Sequence, residues 1–143
     1  MPLRLVDSSV WVEYLRPRPN PRIVKVVQAA LAAGEVAVAA PIVVEVLSGI
    51  RDPQEYAARE DDFRALSHLP VDGEAAYVAA RIGEALARSG KTGKTVDLLL
   101  AGAAIVAGAE LWSLFEEHFE QIQNLVERRT VAVPGSLRLS SLP

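Results

Sequence analysis

Two rhythms of apolar and polar positions alternate along the chain, and the switches between them mark its elements. Leu3-Arg4-Leu5-Val6 is a short apolar run that stops at Asp7 and passes into Ser8 and Ser9. A run of this kind, ended by a carboxylate and small hydroxyl residues, predicts a buried strand that hands over to a helix. Ser8 or Ser9 is placed to cap that helix, and Val10, Trp11, Tyr14 and Leu15 recur at helical spacing. Pro17, Pro19 and Pro21 end it, because proline lacks an amide donor and restrains the residue before it. Asn20 then caps a second helix with Pro21 at its first position, carried by Ile23, Val24, Val26, Val27, Ala30 and Leu31 and closed at Gly34. Residues 36–39 predict a short strand, and Pro41 opens a third helix that runs through Glu45 to Gly49.

The second half repeats the alternation. Residues 53–66, charged and rich in alanine, predict a more exposed helix, and Leu69-Pro70-Val71 an edge strand or connector. A further helix covers residues 73–88. After the loop Ser89-Gly90-Lys91-Thr92-Gly93-Lys94, Thr95 is the expected cap of the most apolar helix, residues 96–107, with Asp97 in its first turn and Gly108 at its end. Residues 110–113 predict a strand, 115–128 a long helix and 130–133 a last strand before a polar tail. Strands that alternate with helices predict an α/β fold: three layers, a central mainly parallel sheet flanked by helices, in a single domain over residues 1–143.

Composition narrows the function. Half of the 143 residues are apolar, enough for a substantial core. Fifteen basic residues against eighteen acidic ones leave a net charge of −3, so no globally basic surface serves nucleic acid or anionic membrane. A nucleic-acid partner then needs a local patch or bound cations. The absence of cysteine excludes disulfides and thiolate-ligated zinc, and agrees with a reducing cytoplasm. No apolar stretch is long enough to span a bilayer and no secretory pattern follows Met1, so a cytoplasmic protein is expected.

Three acids stand out by context. Asp7 follows a buried strand, Asp97 precedes Leu98-Leu99-Leu100, and Glu45 lies among Val43, Val44, Val46 and Leu47. Asp7 has a structural role open to it as a helix cap, and Asp97 as a partner of a helix macrodipole. Glu45, in mid-helix, either faces solvent or belongs to a site. Three carboxylates brought together repel, and a divalent cation resolves that repulsion; all-oxygen donors suit Mg2+ or Mn2+ better than zinc. Such a cation activates water and stabilises charge building up on a phosphodiester. The loop at Gly93-Lys94-Thr95 looks like a phosphate-binding loop, but Arg88 stands where the Walker spacing requires glycine. Phosphatases with an aspartate nucleophile need a second Asp two residues on, where this chain has Ser9.

The surroundings of these acids resemble those of the PIN-domain family, and within it the VapC-type ribonuclease toxins of toxin–antitoxin pairs. The likeness is carried by Leu5-Val6-Asp7-Ser8-Ser9-Val10-Trp11, by Ala40-Pro41-Ile42-Val43-Val44-Glu45-Val46-Leu47-Ser48-Gly49, and by Val96-Asp97-Leu98-Leu99-Leu100-Ala101-Gly102-Ala103-Ala104. It implies a PIN-like domain acting as an endoribonuclease that depends on Mg2+ or Mn2+. Asp7, Glu45 and Asp97 would be catalytic metal ligands, with Ser9 and Ser113 orienting them. It also implies a homodimer, an RNA substrate, and a cognate antitoxin whose helical segment lies in a groove near the first helices, where Trp11, Tyr14, Leu15, Val24, Val27 and Leu31 offer apolar surface. The fourth family motif departs from the pattern: Phe115 stands where an acid is expected, and His118-Phe119 replaces an acid-Phe pair. Either Glu116, or less directly Glu117, supplies a fourth metal ligand, or three acids make the site. With three, the alternative is a catalytically weakened binding or scaffold domain. His118, beside two glutamates on a long helix, is expected to be solvated or capping, and Arg51, Lys91 and Lys94 to form a basic rim for phosphates.

Overall fold

The computed structural model describes residues 3–114, 117–128 and 132–142. In chain order the elements are β1 (Arg4–Val6), α1 (Ser8–Tyr14), α2 (Pro21–Ala32), β2 (Val36–Ala39), α3 (Ala40–Leu47), α4 (Pro53–Arg64) and β3 (Ser67–Leu69). They are followed by α5 (Gly73–Arg88), α6 (Thr95–Ala107), β4 (Glu110–Ser113), α7 (Glu117–Glu127) and β5 (Arg138–Ser141). The five strands form one sheet in the order β3-β2-β1-β4-β5, and every pairing is parallel. This is the helix-flanked α/β architecture expected from the alternating pattern.

Local chemistry explains most boundaries. Asn20 caps α2 by accepting the Arg22 amide at 2.9 Å, and Pro21 sits at the helix start, where its missing N–H has no intrahelical partner to lose. Gly34 and Gly108 end α2 and α6 at φ values of 69° and 66°, the left-handed conformation that glycine adopts without a side-chain clash. The cap of α1 is Asp7 rather than Ser8 or Ser9, since its carboxylate accepts the Ser9 amide. Thr95 is the first residue of α6, not its cap; Lys94 holds the cap position without a side-chain hydrogen bond. Glu13 fastens the proline-rich turn by accepting the Asn20 amide at 3.0 Å and Arg16 at 2.8 Å.

The last strand lies elsewhere than expected. Residues 130 and 131 are outside the described residues, Ala132 and Val133 are not in a strand, and β5 is built from the stretch read as a polar tail. Leu139 alternates with Arg138 and Ser140, too short a period-two pattern to stand out, and the strand forms because it completes the β4 edge.

The register fixes what meets at the sheet's C-terminal edge. Leu5 pairs with Leu111 and Val6 with Trp112. Side chains alternate along strands, so Asp7, two residues past Leu5, shares a sheet face with Ser113, two residues past Leu111. At the other end, Arg4 bridges Glu35 (3.6 Å) and Glu110 (3.3 Å) and lies over the Trp112 ring, while Ser140 and Trp112 both donate to Glu110. Leu5, Val6, Leu111, Ile23, Val27, Ile42, Ile82, Leu100 and Phe119 are fully buried around the sheet.

Helices α5 and α6 approach closely at Gly102, where an added Cβ would collide with the Ala75 carbonyl oxygen and come within 3.3 Å of the Ala79 amide nitrogen. The obstacle is backbone, which cannot rotate away. Gly102→Ala is expected to destabilise the protein by about 1–3 kcal/mol in urea titration despite alanine's higher helix propensity, whereas the same change at the uncrowded Gly73 costs far less.

Candidate metal centre

At the tip of β1, Asp7 is 5% exposed and is held from several sides. Its amide donates to the Trp112 carbonyl of β4 at 2.9 Å, and its Oδ2 accepts the Ser9 hydroxyl at 2.7 Å and the Ser9 amide at 3.3 Å. The same hydroxyl accepts the Leu114 amide at 3.3 Å. Ser9 thereby locks the Asp7 carboxylate to the segment that leaves β4. Ser113, at the end of β4, is fully buried, and among the described residues its Oγ has no hydrogen-bond partner. A buried hydroxyl left unpaired costs about 1–3 kcal/mol, and such a group at the open edge of a sheet marks a place prepared for water, an ion or a ligand.

Asp97 lies in the first turn of α6, a helix that buries Leu100, Ala101 and Ala104. Burial raises the Asp97 carboxyl above its ordinary range, the nearby charge of Asp7 raises it further, and His118 and Lys94 oppose the rise. The two aspartates thus face each other closely enough for one to resist the ionisation of the other. His118 places Nδ1 3.5 Å from Asp97 Oδ2. It is neither a merely solvated residue nor a cap, as expected from its neighbours in sequence; the fold of α7 back onto α6 gives it a partner that no local pattern reveals.

Glu45 sits differently. Its residue is exposed on α3 beside Val44 at 65% exposure, on the solvent side of a turn whose Val46 and Leu47 are buried. It lines a cleft of about 330 Å3 with Val12, Leu15, Arg16, Ile50, Arg51 and Glu55. Helix α3 packs on α1, the helix that Asp7 caps. Glu116, the fourth ligand expected, and Phe115 lie outside the described residues. Glu117 is exposed at the start of α7, and Arg51, Lys91 and Lys94 are exposed cations.

Among the described residues no three Asp, Glu, His or Cys side chains form a ready-made metal cage. The donors present nonetheless fit a hard divalent cation. Mg2+ is typically held by one or two carboxylates and keeps several waters, and the mutual repulsion of Asp7 and Asp97, with an unpartnered hydroxyl nearby, is what such a cation relieves.

The position of the site agrees with the fold. Strand order reverses between β1 and β4, and ligands of open α/β sheets bind at the C-terminal edge where that reversal opens a crevice. Residues 4–125 match the PIN domain family, and the chain belongs to it. Among its relatives, Ribonuclease VapC11 of Mycobacterium tuberculosis is 34% identical over 110 residues, which span 75% of this chain and 82% of that protein. Two solved complexes share the fold. DNA-bound VapBC from Salmonella typhimurium matches with a TM-score of 0.70 at 21% identity, covering 99% of this chain and 98% of that one. VapBC-1 from nontypeable Haemophilus influenzae matches with a TM-score of 0.72 at 14% identity, covering 97% of each. Among the described residues no helix is long and apolar enough to cross a membrane.

The raised Asp97 carboxyl has a consequence for stability. Where the folded-state value lies above the unfolded one, the native state keeps a proton the unfolded chain releases, so stability falls as pH rises through that interval. Asp97→Asn removes this loss. In chelator-treated protein the variant should melt above the wild type at neutral pH, and the difference should vanish below the unfolded value of about 4. A difference that is the same at both pH values would trace to packing, not ionisation.

Proposed function

We propose that this chain is a metal-dependent endoribonuclease, the toxin of a VapBC-type toxin–antitoxin pair, acting in the cytoplasm as a homodimer of single PIN-type domains. The observation that carries this is the pair Asp7 and Asp97, from different elements, opposed at the crevice edge of a parallel sheet. Supporting it, the relative at 34% identity is named a ribonuclease. Asp7, Glu45 and Asp97 hold Mg2+ or Mn2+, with Ser9 and Ser113 orienting the donors and Glu116 completing the set. When bound, the cation supplies a Lewis acid for the scissile phosphodiester and an activated water at neutral pH. Ser9 keeps the Asp7 carboxylate aimed, and α6 keeps Asp97 opposite. Glu45, exposed on α3 in the cleft that also holds Arg16 and Arg51, would in this reading approach the site from that side. Arg51, Lys91 and Lys94 give an acidic chain a local cationic rim for phosphates.

RNA incubated with the pure protein and Mn2+ should be cut. Asp7→Asn, Asp97→Asn and Glu45→Gln should each lose at least about 100-fold in rate while keeping the wild-type circular dichroism, and Ser9→Ala should lose about 10-fold. Cleavage by Asp7→Asn at the wild-type rate would remove that residue from the site. No cleavage by wild type with either metal would return the chain to a binding or scaffold role.

The antitoxin's place in the same scheme is the groove of about 360 Å3 lined by Trp11, Tyr14, Leu15, Leu31, Phe63 and Leu66. Trp11 stacks edge-on against Phe63 at 5.0 Å between ring centres and against Tyr14 at 5.9 Å, and among the described residues its buried indole N–H has no hydrogen-bond partner. A largely apolar groove edged by Arg59 and Asp62 suits an amphipathic helix. Leu66→Asp should weaken binding of the neighbouring operon product by at least about 30-fold in calorimetry and leave RNA cleavage intact.

A further inference from the structure

We propose that His118 is a metal ligand: its Nδ1 and the Asp97 carboxylate bind one divalent cation together, and this mixed imidazole–carboxylate centre prefers Mn2+ to Mg2+. The inference rests on the reading of Asp7 and Asp97 as a cation site. The first observation is a distance. His118 Nδ1 stands 3.5 Å from Asp97 Oδ2, at the limit of a hydrogen bond. Two donors each about 2.1 Å from one cation are separated by about 3.0–3.5 Å, depending on the angle between them. The spacing is therefore that of neighbouring ligands.

The second observation concerns what holds the imidazole there. Phe119 and Ile122, on the same helix, are fully buried and anchor the first turns of α7, while the His118 side chain keeps 39% exposure. The ring is thus carried on a packed helix yet open to solvent, as a ligand that must exchange water for a cation needs to be. The third is the unpartnered Ser113 hydroxyl, buried at the end of the strand that precedes α7 and on the sheet face Asp7 shares. As they stand, these side chains form no closed cage, so the remaining positions fall to water. Mg2+ holds to oxygen donors and gives up water reluctantly, whereas imidazole nitrogen raises the affinity of first-row transition cations.

Calorimetry with Mn2+ and with Mg2+ on metal-free wild type, His118→Ala, His118→Gln and Asp97→Asn, joined to pulsed electron paramagnetic resonance of the Mn2+-loaded proteins, tests this. The wild type should bind Mn2+ at least about 10-fold more tightly than Mg2+ and show modulation from a directly coordinated nitrogen. Both His118 variants should lose that modulation and weaken Mn2+ by about 10-fold while changing Mg2+ less than about 2-fold. A histidine that only pairs with Asp97 predicts the opposite: its removal frees the carboxylate and tightens both cations alike. That outcome, or an unchanged preference with no nitrogen modulation in the wild type, overturns the assignment while metal binding lost in Asp97→Asn leaves the centre standing. A wild type that binds neither cation overturns the centre and His118's part in it together.

Discussion

Two carboxylates brought to one edge of a parallel sheet repel each other, and the packing of the chain holds them there regardless. At the effective dielectric of a protein surface, like charges a few ångströms apart cost on the order of a few kcal/mol, as much as one well-buried leucine contributes. The Asp97 carboxyl is raised first by its burial and second by this repulsion from Asp7. The cost is offset at a distance from the site. Asp7 is fixed by a backbone bond to Trp112 and by Ser9, while Asp97 is fixed by α6, whose Leu100, Ala101 and Ala104 are wholly buried and whose Gly102 lets α5 close on it. A site that stores repulsion in a rigid frame is prepared for a cation before the cation arrives.

The frame follows from the order in which the chain visits the sheet. Starting at the centre with β1, it moves outward through β2 to β3, then crosses to β4 and β5 on the other side. The crevice between β1 and β4 is therefore flanked by two strands that lead in different directions. Asp7 and Ser113 end those two strands, and the hydroxyl of Ser9 joins them by donating to Asp7 and accepting the Leu114 amide. One small side chain thus performs the local task of orienting a carboxylate and the long-range task of stapling two strand ends 105 residues apart.

What the sequence disclosed was whatever local pattern controls. A strand stopping at a carboxylate and an acid in the first turn of an apolar helix placed Asp7 and Asp97 on the right elements, because both positions are defined by a few neighbouring residues. Glu45 shows the limit of that logic. Its apolar neighbours suggested burial, but α3 buries Ile42, Val46 and Leu47 and turns Val44 outward, and in so uniformly apolar a helix the exposed face has no signature. β5 was missed for the converse reason, as its polar alternation takes meaning only from the β4 edge it completes. His118 owes its partner to the return of α7 onto α6, a tertiary event that no local pattern around it encodes.

Helix α1 ties the two proposed functional surfaces together. Its N-terminal end is capped by Asp7 and carries Ser9; its later turns carry Trp11 and Tyr14 into the apolar groove. Seven residues of helix span only about 10 Å. In the proposed pair, a partner seated on Trp11 and Tyr14 is one short helix away from the acids, and a few further residues of extended chain, each reaching about 3.3 Å, carry it over the crevice. Inhibition of such a centre then requires no switch within the fold. In that reading a cationic side chain laid across Asp7 and Asp97 would relieve the same repulsion that a divalent cation would, and partner and metal would compete for one position at the sheet edge.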